Sequence, residues 1–205
     1  MALSPEIDPA HIISMADLEI SIALASPLVS FDQQRQVTAS LAEKWEILPP
    51  RKIHFIIKKD LKWSDGSEIT ALDFKTSLDR AKKAYPTDLK ALFDSIENIK
   101  TVDKNTLELE TKLDIEKSGI LLKLTEPMYS LLSIKNGKVD LTKSSGPYYI
   151  QSKTGHELTL KANTHWFKFR NDMPQTVVIR TPVHGADQVQ QFLNDDWVNL
   201  ISGSS

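Results

Sequence analysis

Five histidines, His11, His54, His156, His165 and His184, are the side chains best suited to bind a metal or move a proton. Their spacing supports neither role. No two stand at i, i+4 and no HExxH occurs, so no metal site is expected. His54 falls in a strand-like run and is expected to point to solvent. The chain has no cysteine, which removes disulfides, zinc–thiolate centres, haem thioether attachment and cysteine nucleophiles. It also lacks a GxSxG elbow, a phosphate-cradling glycine loop and a dinucleotide fingerprint. Asp195 and Asp196 are adjacent rather than facing, and read as a solvated helix end. No catalytic residue and no cofactor are expected.

Charge narrows the partners further. Residues 51–90 carry ten Lys/Arg against six Asp/Glu. Lys58, Lys59 and Lys62 flank a strand, where lysine protects an edge, and Lys82 and Lys83 complement a helix C-terminus. Aromatic interleaving is missing and the formal net charge of the 205 residues is −2, so nucleic acid is not an expected partner. With 40% hydrophobic and 25% charged residues the composition is that of a soluble globular protein of one large or two small domains. The best apolar run, 12–29, is broken by Asp17, Glu19 and several serines, so no spanning helix is expected. Met1–Glu6 has neither a positive n-region nor an apolar h-region, and no signal peptide is expected there.

These side chains need elements to position them. A helix is expected over His11–Leu24, stopped by Pro27, then a short strand Leu28–Phe31 and a polar turn. Leu41–Ile47 should run into an extended connector at Pro49-Pro50. Ile53–Lys58, rich in branched and aromatic residues, reads as a strand. Trp63 should anchor the tight turn closed by Asp65 and Gly66. Thr70 and Asp73 resemble a capping box for a helix reaching Ala84, with Phe74, Leu78 and Ala81 on one face. A shorter helix is expected over Asp88–Ser95. Leu107, Leu109, Thr111 and Leu113 alternate with charged residues as in a half-buried strand. Ser118–Leu124 reads as helix, Met128–Ile134 as an apolar strand and Lys135–Ser145 as a polar loop. Gly146-Pro147-Tyr148 reads as a strand-entry turn. Strands are expected at Tyr148–Gln151, Leu158–Lys161 and Val177–Arg180, with Gly155 between the first two, and a final helix at Gly185–Asn194. The fold class is mixed α/β.

In order, these motifs resemble the family 5 extracellular solute-binding proteins of ABC transporters, the dipeptide, oligopeptide and nickel-binding group. Leu41–Glu46 is similar to the family's LAESWE segment, and Ile53–Phe74 to its TFHLRKGVKWSDGTPVTAEDF signature. Ser145–Tyr148 resembles TGPY, Asn163–Trp166 resembles NPDYW, Ile7–Pro9 the opening LDP, Leu28-Val29 the end of EGLV, and Val189–Ile201 the aaLqsGevDv stretch.

The resemblance implies a periplasmic binding protein type II-like fold. A periplasmic or lipid-anchored receptor would close its two lobes on a small peptide or other small solute and deliver it to a membrane permease. It implies three segments: 1–39 as the first part of the hinge-connected lobe, 40–144 as an inserted α/β subdomain, and 145–205 as the return to the first lobe, stopping before a second. Ser26, Pro27, Leu28, Met128, Tyr129 and Ser130 are the candidate cleft residues. Ser26-Pro27 replaces the family's Glu-Gly, and Ser145 replaces a threonine with its hydroxyl retained. A non-enzymatic monomer is expected. The alternative is a degenerate relative used for protein interaction or sensing.

Overall fold

The computed structural model describes residues 7–9, 15–84, 91–155 and 157–180. The expected helix at Gly185–Asn194, the Val189–Ile201 stretch, the beginnings of the helices expected from His11 and Asp88, and His11, His156 and His184 lie outside the described residues. The fold is mixed α/β with antiparallel sheets.

Helix α1 (Met15–Leu24) closes with the Ala25 amide on the Ser21 carbonyl at 3.0 Å, just before Pro27. Strands β1 (Val29–Phe31) and β2 (Val37–Ala39) pair as a small hairpin. β3 (Ala42–Leu48) and β4 (Lys52–Ile57) follow, and the Pro49-Pro50 pair lies in the turn between them rather than forming an extended connector. Together with β5 (Ile96–Asp103) and β6 (Thr106–Thr111) they make a four-stranded sheet in the order β3-β4-β6-β5. Residues alternate cleanly in β4 and β6, where Ile53, Phe55, Ile57, Leu107 and Leu109 are fully buried. Leu113 lies past the end of β6 and is exposed, so the alternation stops at Thr111.

Helix α2 (Ala71–Ala84) covers this sheet with Phe74, Leu78 and Ala81. Its start departs from a reciprocal capping box. The Asp73 carboxylate accepts the Thr70 amide at 2.8 Å, but the Thr70 hydroxyl donates to that same carboxylate instead of accepting an amide. Glycine-dependent turning occurs where expected: Gly66, at φ 83°, closes the Trp63 turn with its amide on the Trp63 carbonyl at 2.9 Å.

Helix α3 (Ala91–Ser95) leads into β5. The helix expected over Ser118–Leu124 is two short ones, α4 (Ile115–Ser118) and α5 (Ile120–Lys123), because Gly119 between them takes φ 63°. The strand expected at Met128–Ile134 is a correction. Pro127–Tyr129 is a 3-10 turn, and the chain then runs without ladder pairing to β7 (Ile134–Lys135). Its backbone groups are instead taken up singly by other segments. Lys135–Ser145 is not wholly loop, since Asn136 and Gly137, both at positive φ, turn β7 back onto β8 (Lys138–Val139).

β9 (Tyr148–Lys153), β10 (Glu157–Ala162) and β11 (Thr176–Arg180) form a three-stranded sheet with β10 central. Leu158 and Leu160 of β10 meet Ile7, Ile20 and Leu24 in a second apolar cluster, which Tyr148 and Ile150 flank. His54 corrects another expectation. Its ring stands 2.8 Å from the Glu108 carboxylate across the β4–β6 pairing, which keeps the Glu108 carboxyl below its usual range.

Candidate functional site

The candidate stretches Ser26–Leu28 and Met128–Ser130 are brought to one place by residues neither stretch contains. Where α1 ends, the Ser26 amide donates to the Ser145 hydroxyl at 3.0 Å, and that hydroxyl donates to the Leu131 carbonyl at 2.7 Å. The Leu131 amide returns to the Ser26 carbonyl at 2.9 Å. Three segments far apart in sequence are thus closed into a ring of hydrogen bonds around residues that are 1–4% exposed. The hydroxyl at Ser145, the one shared with the family's threonine, supplies two of the three bonds.

A second layer fixes this ring. Ser144 Oγ reaches the Leu24 carbonyl at 2.6 Å, and the Gly146 amide donates to the same carbonyl at 3.1 Å. A side chain at Gly146 is not accommodated, since a Cβ there would stand 2.5 Å from Ala25 N and Leu24 C. The Ser64 amide and the Ser144 carbonyl meet at 2.9 Å, and the Ser144 amide donates to Ser64 Oγ at 3.0 Å. Asn163 is buried and its side-chain amide donates to the Gly146 carbonyl at 2.9 Å. Its carboxamide oxygen accepts the His165 amide at 3.0 Å, turning the chain so that Trp166 faces Ser26. Trp166 Nε1 then donates to Ser26 Oγ at 3.0 Å.

Two anchors surround the junction. Asp8 and Arg80 form a bidentate ion pair, with Nη1 to Oδ1 at 2.7 Å and Nη2 to Oδ2 as the second contact, tying the first described segment to α2. Asp65 of the Trp63 turn is paired with Lys143 at 2.8 Å and accepts from Ser67. The lysine first and then the serine hold its carboxyl down to about 2.

The six candidates divide by exposure. Ser26, Leu28, Tyr129 and Ser130 are buried, Tyr129 edge-on to Phe93 with ring centroids 5.4 Å apart. Pro27 and Met128 are half-buried and reach the surface. The partners of Ser144 and Ser145 are backbone atoms and that of the Ser26 hydroxyl is an indole, so none of these hydroxyls is activated as a nucleophile. Ser145, Gly146, Asn163 and Trp166 build the junction, although the residue types alone predict only a strand-entry turn at Gly146. The signal available in sequence was the pairing of Ser145-Gly146 with Asn163–Trp166 as family motifs.

Behind the junction, Ile7, Pro9, Leu24, Leu131, Leu132 and Leu141 help to line a cavity of about 20 Å³. That is room for about one water, against roughly 300 Å³ or more for a small-molecule site.

This architecture is of the periplasmic binding protein type II-like class. The Escherichia coli murein tripeptide binding protein MppA superposes with a TM-score of 0.75 at 19% identity, over 93% of this chain and 42% of MppA. NikA from Brucella suis, solved with Fe(III)-EDTA, gives a TM-score of 0.79 at 17% identity, over 94% of this chain and 40% of NikA. Residues 36–202 match the family described as bacterial extracellular solute-binding proteins, family 5 Middle, and the chain belongs to that family.

Over 76 residues it is 37% identical to the probable deoxycholate-binding periplasmic protein YgiS of Escherichia coli K12, covering 37% of this chain and 14% of YgiS. Over 152 residues it is 23% identical to a putative binding protein of Haemophilus influenzae, covering 68% of this chain and 30% of that protein. The chain therefore spans less than a third of these curated relatives. Proteins of this family are binding proteins, periplasmic or extracellular, and two of the similar structures, from Borrelia burgdorferi and Sinorhizobium meliloti, are named as ABC transporter proteins. Among the described residues no helix is long and apolar enough to cross a membrane.

Proposed function

We propose that this chain forms one wall of the solute cleft in the substrate-binding component of an ABC importer. A peptide or similar small solute is captured between two lobes, and the closed receptor is what a membrane permease reads. The receptor works in the periplasm or as a lipid-anchored extracellular protein, as a single copy and without a cofactor. In this reading residues 1–39 and 145–205 belong to the hinge-connected lobe and 40–144 to the inserted subdomain.

The carrying observation is the ring formed by Ser26, Ser145 and Leu131, which holds both candidate stretches beside one surface. Pro27 and Met128 are the members with exposed surface to offer, and Ser26, Leu28, Tyr129 and Ser130 hold them in place. A cavity of about 20 Å³ encloses no solute, which supports capture against a second lobe.

The test is mass spectrometry of solutes released from the receptor purified from its native host, followed by calorimetry with the solute found. Pro27→Arg and Met128→Arg should each weaken binding by about tenfold or more, as a charge is forced against an apolar contact. Unchanged affinity in both variants overturns the placement of the cleft. The 205-residue chain by itself should bind free peptide weakly or not at all.

A further inference from the structure

Beside the Ser26–Leu28 turn, two lysines share one aromatic ring. Trp166, bound to Ser26 through its indole N–H, meets Phe167 edge-on with ring centroids 5.6 Å apart. Phe167 packs on the larger core and carries two ammonium groups, Lys58 Nζ at 4.6 Å and Lys168 Nζ at 5.2 Å from its centroid. Each cation gains from the ring quadrupole, but the two repel each other.

Among the described residues neither lysine is within ion-pair distance of a carboxylate. Lys58 donates to the Ser40 carbonyl, an uncharged partner. Burial first, and Lys168 second, push the Lys58 ammonium below its usual value, while Glu43 opposes this as the smallest influence. Elsewhere several lysines are answered by acids: Lys44 by Glu46, Lys75 by Asp79, Lys104 by Glu68, Lys143 by Asp65. Here a half-desolvated cation and its neighbour share an aromatic platform instead. Such a pair is relieved by an anion, and the rings beside it offer apolar surface to the remainder of the same molecule.

We propose that Lys58 and Lys168 form an anion-binding rim on the Trp166–Phe167 platform, and that the solute received beside Pro27 is an apolar body bearing a carboxylate. The second half of this inference rests on the cleft placement given under the proposed function. The first half stands without it.

The lysine Cε signals of the 205-residue chain, followed by 1H–13C NMR at low ionic strength, read the rim directly. The probes are inorganic phosphate, deoxycholate below its micelle threshold and the uncharged methyl ester of deoxycholate. Phosphate and deoxycholate should move Lys58 and Lys168 together and saturably, while the ester leaves them in place and Lys82, at the far end of α2, responds to none. Lys168→Met should weaken both anions about fivefold. Lys58→Met removes the bond to Ser40 as well and can disturb folding, so the exposed Lys168 decides. Unmoved lysine signals, or a Lys168→Met variant that binds anions as the wild type does, overturn the rim. If both lysines respond while the Pro27 and Met128 signals stay fixed, the rim stands and the cleft placement falls. If deoxycholate and its ester shift Pro27 and Met128 equally, the cleft stands and the carboxylate requirement falls.

Discussion

The two apolar clusters of this molecule are held together by opposite means. Under the four-stranded sheet, Ile53, Phe55 and Ile57 of β4 meet Leu107 and Leu109 of β6 and the Phe74 and Leu78 face of α2. That layer is continuous and mostly apolar. The cluster under β9–β11 is smaller, with Ile20 and Leu24 of α1 against Leu158 and Leu160. Its border is polar, made of Ser144, Ser145 and Asn163 bonded to backbone. Burial of apolar area is non-directional and tolerates small shifts, whereas a buried polar border depends on each partner being present.

The comparison can be broken from the apolar side first. Phe55→Ala removes a fully buried ring and should cost about 3–5 kcal/mol, read as a lowered urea midpoint. A cost under about 1 kcal/mol would mean that the larger layer is not held by apolar packing around this ring. At the polar border, Gly146→Ala presses a methyl onto the backbone of Leu24 and Ala25. It should cost about 3 kcal/mol, against the gain glycine replacement gives where space allows. Ser145→Ala strands the Ser26 amide and the Leu131 carbonyl and should cost about 1–3 kcal/mol. Hydrogen exchange distinguishes it from Phe55→Ala, because the amides of Ser26 and Leu131 should lose protection locally. Ser145→Thr, which keeps the hydroxyl, should retain most of that protection.

The smallest effect concerns pH. The folded Asp65 carboxyl, at about 2, lies below its ordinary 3.8, so its contribution is complete above the ordinary value and is lost as pH falls toward 2. With 40% of that side chain exposed, solvent screening keeps the contribution under about 1 kcal/mol. The Tm difference between wild type and Lys143→Ala should therefore shrink between pH 4 and pH 2. A difference that is constant over that interval would assign the pairing no stabilising role.

Sequence legibility follows the same division. β6 and α2 are readable because each carries one periodicity, with largely polar residues on the face opposite the core, and β4 because it is rich in branched and aromatic residues. β5 was not readable, since Ile96–Asp103 buries only Ile96 and Ile99 and otherwise resembles a charged loop. Met128–Ile134 misleads for the converse reason. Its apolar residues are buried individually beside other segments, so composition suggested a strand where no ladder exists. The Asn136-Gly137 turn was legible in principle, but its flanking strands are only two residues long. Of the candidate site, the locations of Ser26–Leu28 and Met128–Ser130 came from family resemblance. The bond between them runs through Ser145, whose partners are backbone atoms, and backbone partners leave no trace in residue type.

The glycine contact at the end of α1 has one more consequence. The chain leaves through Leu24 and comes back through Gly146, and these two residues touch, with amide to carbonyl at 3.1 Å. Everything from Ala25 to Ser145 is therefore a loop closed at this neck, and the Asp8–Arg80 and Trp166–Ser26 contacts tie it further to the flanking segments. The closed neck brings the two ends of the loop together, so a turn inside the loop can be lengthened while both ends stay in place. It also makes Gly146 the point at which the two parts are registered against each other, since any larger residue there would pry the neck open.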